Sequence, residues 1–431
     1  MGKMISTTLE NICGSQKGAI ISGPFGSNIS SKFFIDEGIP VIRGNNLSLS
    51  LDKFYDYGFV FVSEEKANEL NCYAKIDDLI FTAAGTIGQV GIITSDNKYE
   101  KYVISNKQIR VTIDKGKVDP MYAYYWFSSP WIRKKLCVSN KGSTVPLLTL
   151  WEVKSLPITY PESFDEQRKI VAVFETIGEK IKKNNIINSE LEAMARTIYD
   201  YWFLQFDFPD ENGKPYKSSG GKMVWNETLK RKIPEGWKCI KLDTLCSFSN
   251  GINYDKNQNG DKDYRIVNVR NISNSSLLLD VREFDVINLL STQAEKYIVD
   301  VNDILIARSG TPGAVRLLVS NEKDVIYCGF IIKCSPYEKQ QRLYLTYALK
   351  KLEGSNATKT GGSIMQNVSQ ETLKQVEICL PPSYIIDKYN MVIEELLSKM
   401  QQVIYENQEL ISLRDYLLPL LMNGQVGFKE C

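Results

Sequence analysis

Histidine is missing from all 431 residues. Its absence removes the commonest general acid/base, every Ser/His or Cys/His nucleophilic arrangement and the usual zinc ligand, which weighs against hydrolase chemistry. The nine cysteines contain no C-x-x-C pair or other metal-ligand spacing, and so read as reduced, buried thiols of a cytosolic protein. No apolar run approaches a membrane span and the N-terminus lacks a signal-peptide core, so a cytoplasmic protein with no membrane partner is expected. An excess of charge of one sign is lacking too. With 52 Lys plus Arg against 51 Asp plus Glu, any contact with nucleic acid must come from local patches rather than a global basic field. Finally there is no G-x-x-x-x-G-K-[ST] loop and no G-x-G-x-x-G after a strand; "SGPFGSN" from Ser22 and "SSGGK" from Ser218 fit neither and read as loops.

What is present is a long helical pattern from Phe164 to Phe203. Ile170, Phe174, Ile177, Ile181, Leu191, Met194 and Ile198 recur at spacings of three and four, one stripe of a helix. Tyr389, Ile393, Leu396, Met400, Val403, Leu410, Leu413, Leu417 and Leu421 repeat the pattern near the other end of the chain. Two such helices predict an intramolecular coiled coil joining two globular units. Asn184 and Asn188 interrupt the first stripe, and Asn407 aligns with Asn188; buried, they would fix the register of the pair.

The globular parts are related by an internal repeat. "DDLIFTAAGTIGQVG" from Asp77 matches "NDILIARSGTPGAVR" from Asn302, pairing Asp78 with Asp303, Gly85 with Gly310 and Gly88 with Gly313 at an offset of 225. The same offset pairs "NNLS" from Asn45 with "RNIS" from Arg270, and the register drifts only to 220 at Gly142 and Gly362 and 219 at Leu191 and Leu410. Short apolar and period-two runs separated by Gly-rich turns argue for an α+β fold. The expected architecture is two strand-rich domains joined by two long antiparallel helices about a pseudo-two-fold axis. Its parts are a first domain at 1–161, a central helix at 162–205, a partly ordered Pro-, Gly- and Ser-rich linker at 206–235, a second domain at 236–382 and a C-terminal helix at 383–431.

No constellation for catalysis accompanies this frame. Glu64, Glu65 and Lys66 after Asp52 would have to be forced into a nuclease site, because paired metal-binding carboxylates in a defined strand context are missing. "LPPSY" from Leu380 lacks the leading Asn or Asp that adenine methyltransferases use, and reads as a turn before the last helix. Residues suited to binding sit instead in matched places. Arg43, Asn45 and Asn46 align with Asn268, Arg270 and Asn271, while Thr86 and Gln89 align with Thr311 and Ala314; the second domain adds Arg308 and Arg316. Arg, Asn and Gln can make bidentate contacts to purine edges in the major groove. Lys107, Gln108, Lys141, Ser143 and Thr144, with Lys359, Thr360 and Ser363, could hold phosphates. Arg133, Lys134 and Lys135 after Trp131 form a further basic cluster that could touch a phosphate backbone but reads more readily as a solvated helix face. Turn-making Asn and solvated Lys account for any one of these residues taken alone. The ensemble argues for DNA, against the competing reading of a coiled-coil scaffold for protein partners.

Several stretches carry a family resemblance. "DEQRKI" opening the central helix, "LEAMARTIYDYWFLQFDFP" followed by "GKPYKSSGGKMVWNETLKRKIPEGW", the closing "LISLRDYLLPLLMNGQV", "GPFGSN" and the G-T-x-G segments together resemble the DNA-specificity subunit of type I restriction-modification enzymes. One departure is "IIDK" from Ile385 where the first half has "DEQR" from Asp165. The resemblance implies a non-catalytic subunit whose two target-recognition domains each read one half of a split, asymmetric double-stranded DNA site. It further implies that the helices set the spacer and dock two adenine-methyltransferase subunits and the restriction subunits. S-adenosylmethionine, ATP and magnesium would then be bound by those partners, and this chain would carry no cofactor and no metal of its own.

Overall fold

The strand at the centre of each half is apolar on both faces, and the fold explains why. The computed structural model describes residues 2–138, 147–255, 258–318, 323–353 and 368–428, and divides into unit 1 (residues 1–181 with 409–431) and unit 2 (residues 182–408). In unit 1, strand Asp78–Thr82 sends Leu79 and Phe81 into one core with Val90, Ile109 and Phe127, and Ile80 into a second with Val41, Val103 and Ile104. In unit 2, strand Ile304–Ala307 does the same, Ile304 and Ile306 entering one core and Leu305 and Ala307 the other. Successive side chains of a strand face opposite ways, so a strand held between two cores has to be apolar throughout.

The sheets repeat as well. Unit 1 has an antiparallel sheet ordered Ile20–Ser22, Gln108–Thr112, Asp78–Thr82, Val90–Ile92. Its second sheet is ordered Val60–Val62, Ile39–Ile42, Lys101–Ile104, Tyr73–Lys75, with the middle two strands parallel. Unit 2 orders Cys246–Asn250, Ile331–Pro336, Ile304–Ala307 and Val315–Leu318 in the same way, with Leu278–Leu279 added at the edge. Its second sheet holds Asp285–Leu289, Lys262–Val267 and Val325–Tyr327, the last two again parallel.

Matched polar residues hold these sheets in matched ways. Asp78 accepts hydrogen bonds from the Lys75 amide (2.9 Å) and the Thr112 hydroxyl (2.5 Å); Asp303 accepts from the Asp300 amide (2.8 Å) and the Ser335 hydroxyl. Burial pushes the Asp78 carboxyl up from its ordinary range, opposed by those two donors. A second correspondence falls at an offset of 233, outside the 225 register: "LENIC" and "LDTLC" place Leu9 and Leu242 fully buried, with the Cys13 thiol donating to the Leu9 carbonyl (3.1 Å) and the Cys246 thiol to that of Leu242 (3.2 Å). Burial raises the Cys13 thiol to about 12, which keeps it unreactive. Cys72, Cys328, Cys334 and Cys379 are buried too, whereas Cys137 is exposed.

Each unit is closed by an antiparallel pair, Met4–Thr8 with Pro157–Pro161 and Lys238–Lys241 with Glu377–Leu380. A long helix follows each, Phe164–Tyr199 (extended by one π turn, Asp200–Leu204) and Ser383–Met422. Residues 170–174 of the first helix share the unit 1 core with Leu418, Leu421 and Met422 of the second, and Ala195 and Tyr199 share the unit 2 core with Tyr389, Ile393, Leu396 and Met400. Within unit 2 the two helices therefore run antiparallel. Two expected seam residues differ: Met194 is 51% exposed and Leu413 is 47% exposed. The inward position beside Met194 belongs to Ala195, because Asn184 and Asn188 occupy the seam themselves and carry the three-and-four spacing on through Leu191 to 195.

That polar layer is bonded. Asn184 Nδ2 donates to Asn407 Oδ1 and Glu406 Oε2, both at 2.8 Å, and Asn407 Nδ2 donates to Asn185 Oδ1 at 2.9 Å. Asn184 Oδ1 and Asn188 Oδ1 are buried without a partner, the signature of a layer kept for register at a cost in stability. Replacing both Asn184 and Asn407 by Leu should raise the thermal midpoint and loosen the register, seen as faster amide exchange along both helices. A lower midpoint would make the amide pair a net stabiliser.

The stretch whose composition suggests a partly ordered linker is a folded part of unit 2. Asp207 accepts from the Ser218 amide and hydroxyl, both at 2.7 Å. Phe208 stacks between Tyr216 (4.7 Å) and Trp237 (5.4 Å), and Arg231 lies over Phe206. A hairpin, Met223–Asn226 with Arg231–Pro234, completes it. Gly, Pro and Ser here make tight turns between aromatic anchors rather than a flexible tether.

Candidate nucleic-acid interface

The conserved spacing of the G-T-x-G segments is a matter of backbone. Gly85 and Gly88 sit at φ of +99° and +97°, and Gly310 and Gly313 at +77° and +85°, the left-handed region that a side chain disfavours. Each loop so formed leaves the central strand and turns beside a polar 3-10 or α turn, Gly44–Asn46 in unit 1 and Val269–Asn274 in unit 2. In unit 1 Gln89 ties the two together, accepting from the Thr82 hydroxyl (2.9 Å) and donating to the carbonyls of Gly44 (3.1 Å) and Leu47 (2.7 Å).

These segments enclose a cleft of about 430 Å³ in unit 1, lined by Arg43, Asn45, Thr86, Gln89, Lys107 and Gln108. Six residues expected from the sequence are thus brought together. Arg43 and Asn45 both donate to the Gly58 carbonyl at 3.2 Å, while Lys107 and Thr86 are exposed at the mouth. Gln108 is buried at the floor, where it accepts from the Ser105 hydroxyl. Asn46 lies behind the cleft, fully buried: its Oδ1 accepts from the Arg43 amide (2.9 Å) and its Nδ2 donates to the carbonyls of Tyr55 (3.0 Å) and Tyr57 (2.9 Å). Asn271 of unit 2 repeats this, accepting from the Asn268 amide (2.8 Å) and donating to the Glu283 carbonyl (3.0 Å). Both asparagines build the turn that presents their neighbours.

Unit 2 opens two adjoining clefts that share Asn253, Gly329 and Phe330, one of about 410 Å³ with Tyr254, Asn268, Arg270 and Asp285, the other of about 420 Å³ with Arg308. Asn268 donates to Asp285 (3.0 Å), Arg270 pairs with the same carboxylate, and Tyr254 donates to Asn268 (3.2 Å). Arg308 donates to the Gly329 carbonyl at 3.1 Å. Thr311 is exposed beside the turn, its hydroxyl 2.9 Å from that of Ser273. Arg316 is not at a cleft. It is 9% exposed, its guanidinium donating to the carbonyls of Ser275 (3.0 Å) and Val315 (2.7 Å) and facing Glu353 at 3.4 Å. The expected contacts Lys141, Ser143, Thr144, Lys359, Thr360 and Ser363 lie outside the described residues. Arg133 is held in unit 1 by a bond to the Ser128 carbonyl (3.0 Å), and burial lowers its pKa.

Electrostatically the clefts differ. Among the described residues the unit 1 lining carries Arg43 and Lys107 with no carboxylate, whereas the unit 2 lining sets Arg270 and Arg308 against Asp285. A carboxylate accepts only, so unit 2 holds an acceptor-only side chain that the described unit 1 lining does not. Sequence reading missed Asn106, Asn253, Tyr254, Asp285 and Phe330 as lining residues. It also missed the glycines behind them: a Cβ on Gly23 would fall 1.8 Å from the Ser105 carbonyl oxygen, and one on Gly251 2.3 Å from those of Tyr327 and Cys328. A signal existed in "SGP" and "NGI", each directly after its unit's first sheet strand, but those glycines are 228 apart and fall out of the 225 register.

One fold built twice, each copy opening a polar, donor-rich cleft and each followed by a long helix, is the architecture of a binding protein with two similar sites. The chain belongs to the type I restriction modification DNA specificity domain family, whose model matches residues 8–193 and again 234–413. DNA target recognition follows from that membership. The specificity subunit of the type I restriction enzyme MjaIX from Methanocaldococcus jannaschii is 24% identical over 390 residues, 87% of this chain and 85% of that protein. That of HindI from Haemophilus influenzae is 22% identical over 385 residues, 77% of this chain and 83% of that protein. The crystal structure of a type I restriction-modification system S subunit from M. genitalium gives a TM-score of 0.50 at 14% identity, covering 98% of this chain and 96% of that one; the likeness supports the fold. No helix among the described residues is long and apolar enough to cross a membrane.

Proposed function

We propose that unit 1 reads one half of a split, asymmetric duplex site and unit 2 the other, and that the chain itself performs no chemistry. The long helices set the spacer and dock two adenine-methyltransferase subunits, which bring S-adenosylmethionine, and restriction subunits, which use ATP and magnesium. The observation that carries this reading is the cleft itself: its backbone is built alike in both units, down to the buried Asn46 and Asn271, while its exposed lining differs. A conserved backbone with a changed lining suits two readers of different sequences. A protein scaffold gives no reason for Arg and Asn repeated at the clefts of both units.

The test uses the chain assembled with its methyltransferase subunits. Methylated adenines mapped on exposed DNA should define two fixed half-sites separated by a constant spacer, and binding should weaken steeply with salt. Methylation without a fixed bipartite site, or a complex indifferent to duplex sequence, would sink the proposal. Arg308→Ala should then weaken the half-site of unit 2 by about 1–3 kcal/mol and leave the other unchanged, if its free donors reach a base edge. An equal loss on all sequences would place Arg308 on a phosphate instead.

A further inference from the structure

Position 330 is where the two units differ most in kind while agreeing in backbone. Arg308 donates its amide to the Phe330 carbonyl (2.9 Å), as Ala83 donates to that of Lys107 (2.7 Å), and residues 83 and 308 stand at the 225 offset. Both positions follow a strand laid parallel to its unit's polar-turn strand, Lys101–Ile104 and Val325–Tyr327. Lys107 and Phe330 are therefore equivalent, one a cation and the other an apolar ring.

Phe330 is 60% exposed between neighbours that are buried, Cys328 at 4% and Ile331 at 0%. Exposing an aromatic ring forfeits much of the gain its burial would bring, and this ring is not on a loose loop. Its carbonyl and that of Gly329 are both bonded by Arg308, and a Cβ on Gly329 would fall 2.1 Å from Asn253 Oδ1. The ring stands at the shared rim of both unit 2 clefts, among the donors Asn253, Arg270 and Arg308. Polar groups that can bond base edges thus flank an exposed apolar ring on a backbone that is held in place. In the major groove the only apolar feature of a base edge is the 5-methyl group of thymine.

We infer that Phe330 is a specificity-determining residue of unit 2, which reads a thymine by apolar contact with its 5-methyl group. This rests on the proposed reading of one half-site by each unit. Lys107 makes unit 1 read the equivalent place as a cation would, so the two half-sites differ there.

The experiment takes the assembled methyltransferase and its mapped site, and replaces each thymine of each half-site, one at a time, by deoxyuridine. One replacement, in one half-site only, should weaken wild-type binding about four-fold, the worth of one buried methyl group. Phe330→Ala should bind the thymine duplex at that weakened level and no longer distinguish thymine from deoxyuridine, and Phe330→Leu should recover part of the discrimination. Circular dichroism melting of both variants at the wild-type midpoint shows that the fold is kept; if Phe330→Ala melts early, Phe330→Leu and Phe330→Lys carry the comparison. Specific binding in which Phe330→Ala keeps the full thymine preference, a loss on every duplex alike, or a unit 2 half-site without thymine overturns the role of Phe330 alone. Wild-type binding indifferent to sequence overturns the reading of half-sites beneath it, and this inference with it.

Discussion

Gly23→Ala should abolish reading by unit 1 while unit 2 stays folded and keeps its half-site. The added methyl would stand 1.8 Å from the Ser105 oxygen, 2.6 Å from its carbonyl carbon and 3.1 Å from Asn106 Cα. All three are backbone atoms, so no side-chain rotation relieves the contact. Nor can Gly23 withdraw easily, since its amide donates to the Gln108 carbonyl (2.8 Å) and the preceding strand pairs with Gln108–Thr112. Overpacking of this kind costs about 3 kcal/mol or more, and here the yielding segment is 105–108, which carries Asn106 and Lys107 into the cleft. Gly251→Ala should give the converse, because its methyl would meet the Tyr327 and Cys328 oxygens, both at 2.3 Å. Affinity for duplexes carrying one intact and one scrambled half-site checks both variants. If Gly23→Ala bound both half-sites as the wild type does, the close approach would have no role in holding the cleft.

Arg316→Ala should act on stability where Arg308→Ala acts on binding. Arg316 belongs to a buried network in unit 2. Glu353 accepts from the Val315 amide (2.6 Å) and faces both Arg316 (3.4 Å) and Lys350 (3.6 Å), while Lys350 also faces Glu192 (3.1 Å). Glu192 in turn accepts from the Leu277 amide at 3.0 Å. The Lys350 and Glu192 side chains are 8% and 12% exposed, so these charges are poorly screened. Removing one partner from such a set leaves uncompensated charge and unbonded carbonyls, at a cost of about 3–5 kcal/mol. The measurement is denaturant unfolding, followed by the aromatic cluster of unit 2. A variant that melts like the wild type but loses one half-site would move Arg316 from the network to the DNA.

How much of this was legible differs from residue to residue. The seam of the helices largely was, because a three-and-four spacing states its own geometry; Met194 and Leu413 misled, the former where two asparagines take seam positions usually held by apolar residues. The paired Gly85–Gly310 and Gly88–Gly313 were legible as a repeat, and their left-handed backbone gives the physical reason for it. Arg308 and Arg316 were indistinguishable as letters. They flank one G-T-x-G loop, and the strand separates them: Arg308 falls just beyond Ile304–Ala307, whereas Arg316 lies within Val315–Leu318, opposite Leu305, and its guanidinium is taken up by the Ser275 and Val315 carbonyls and Glu353. Asn46 and Asn271 were equally open to two meanings, an outward contact or an inward cap, and their amides point inward.

Composition, periodicity and a repeat that keeps its register are local properties, and they alone determined the α+β class, the doubling of domain and helix, and the absence of histidine chemistry. Which polar side chains face a cleft is decided by contacts between segments far apart in the chain. Asn106 and Phe330 acquire meaning only where a parallel strand brings them beside residues about 60 positions away. The glycines that permit this approach, Gly23 and Gly251, sit where insertions have shifted the two halves from an offset of 225 to 228, so a linear comparison slides past them and only the packed backbone, with no room for a Cβ, marks them as the same position.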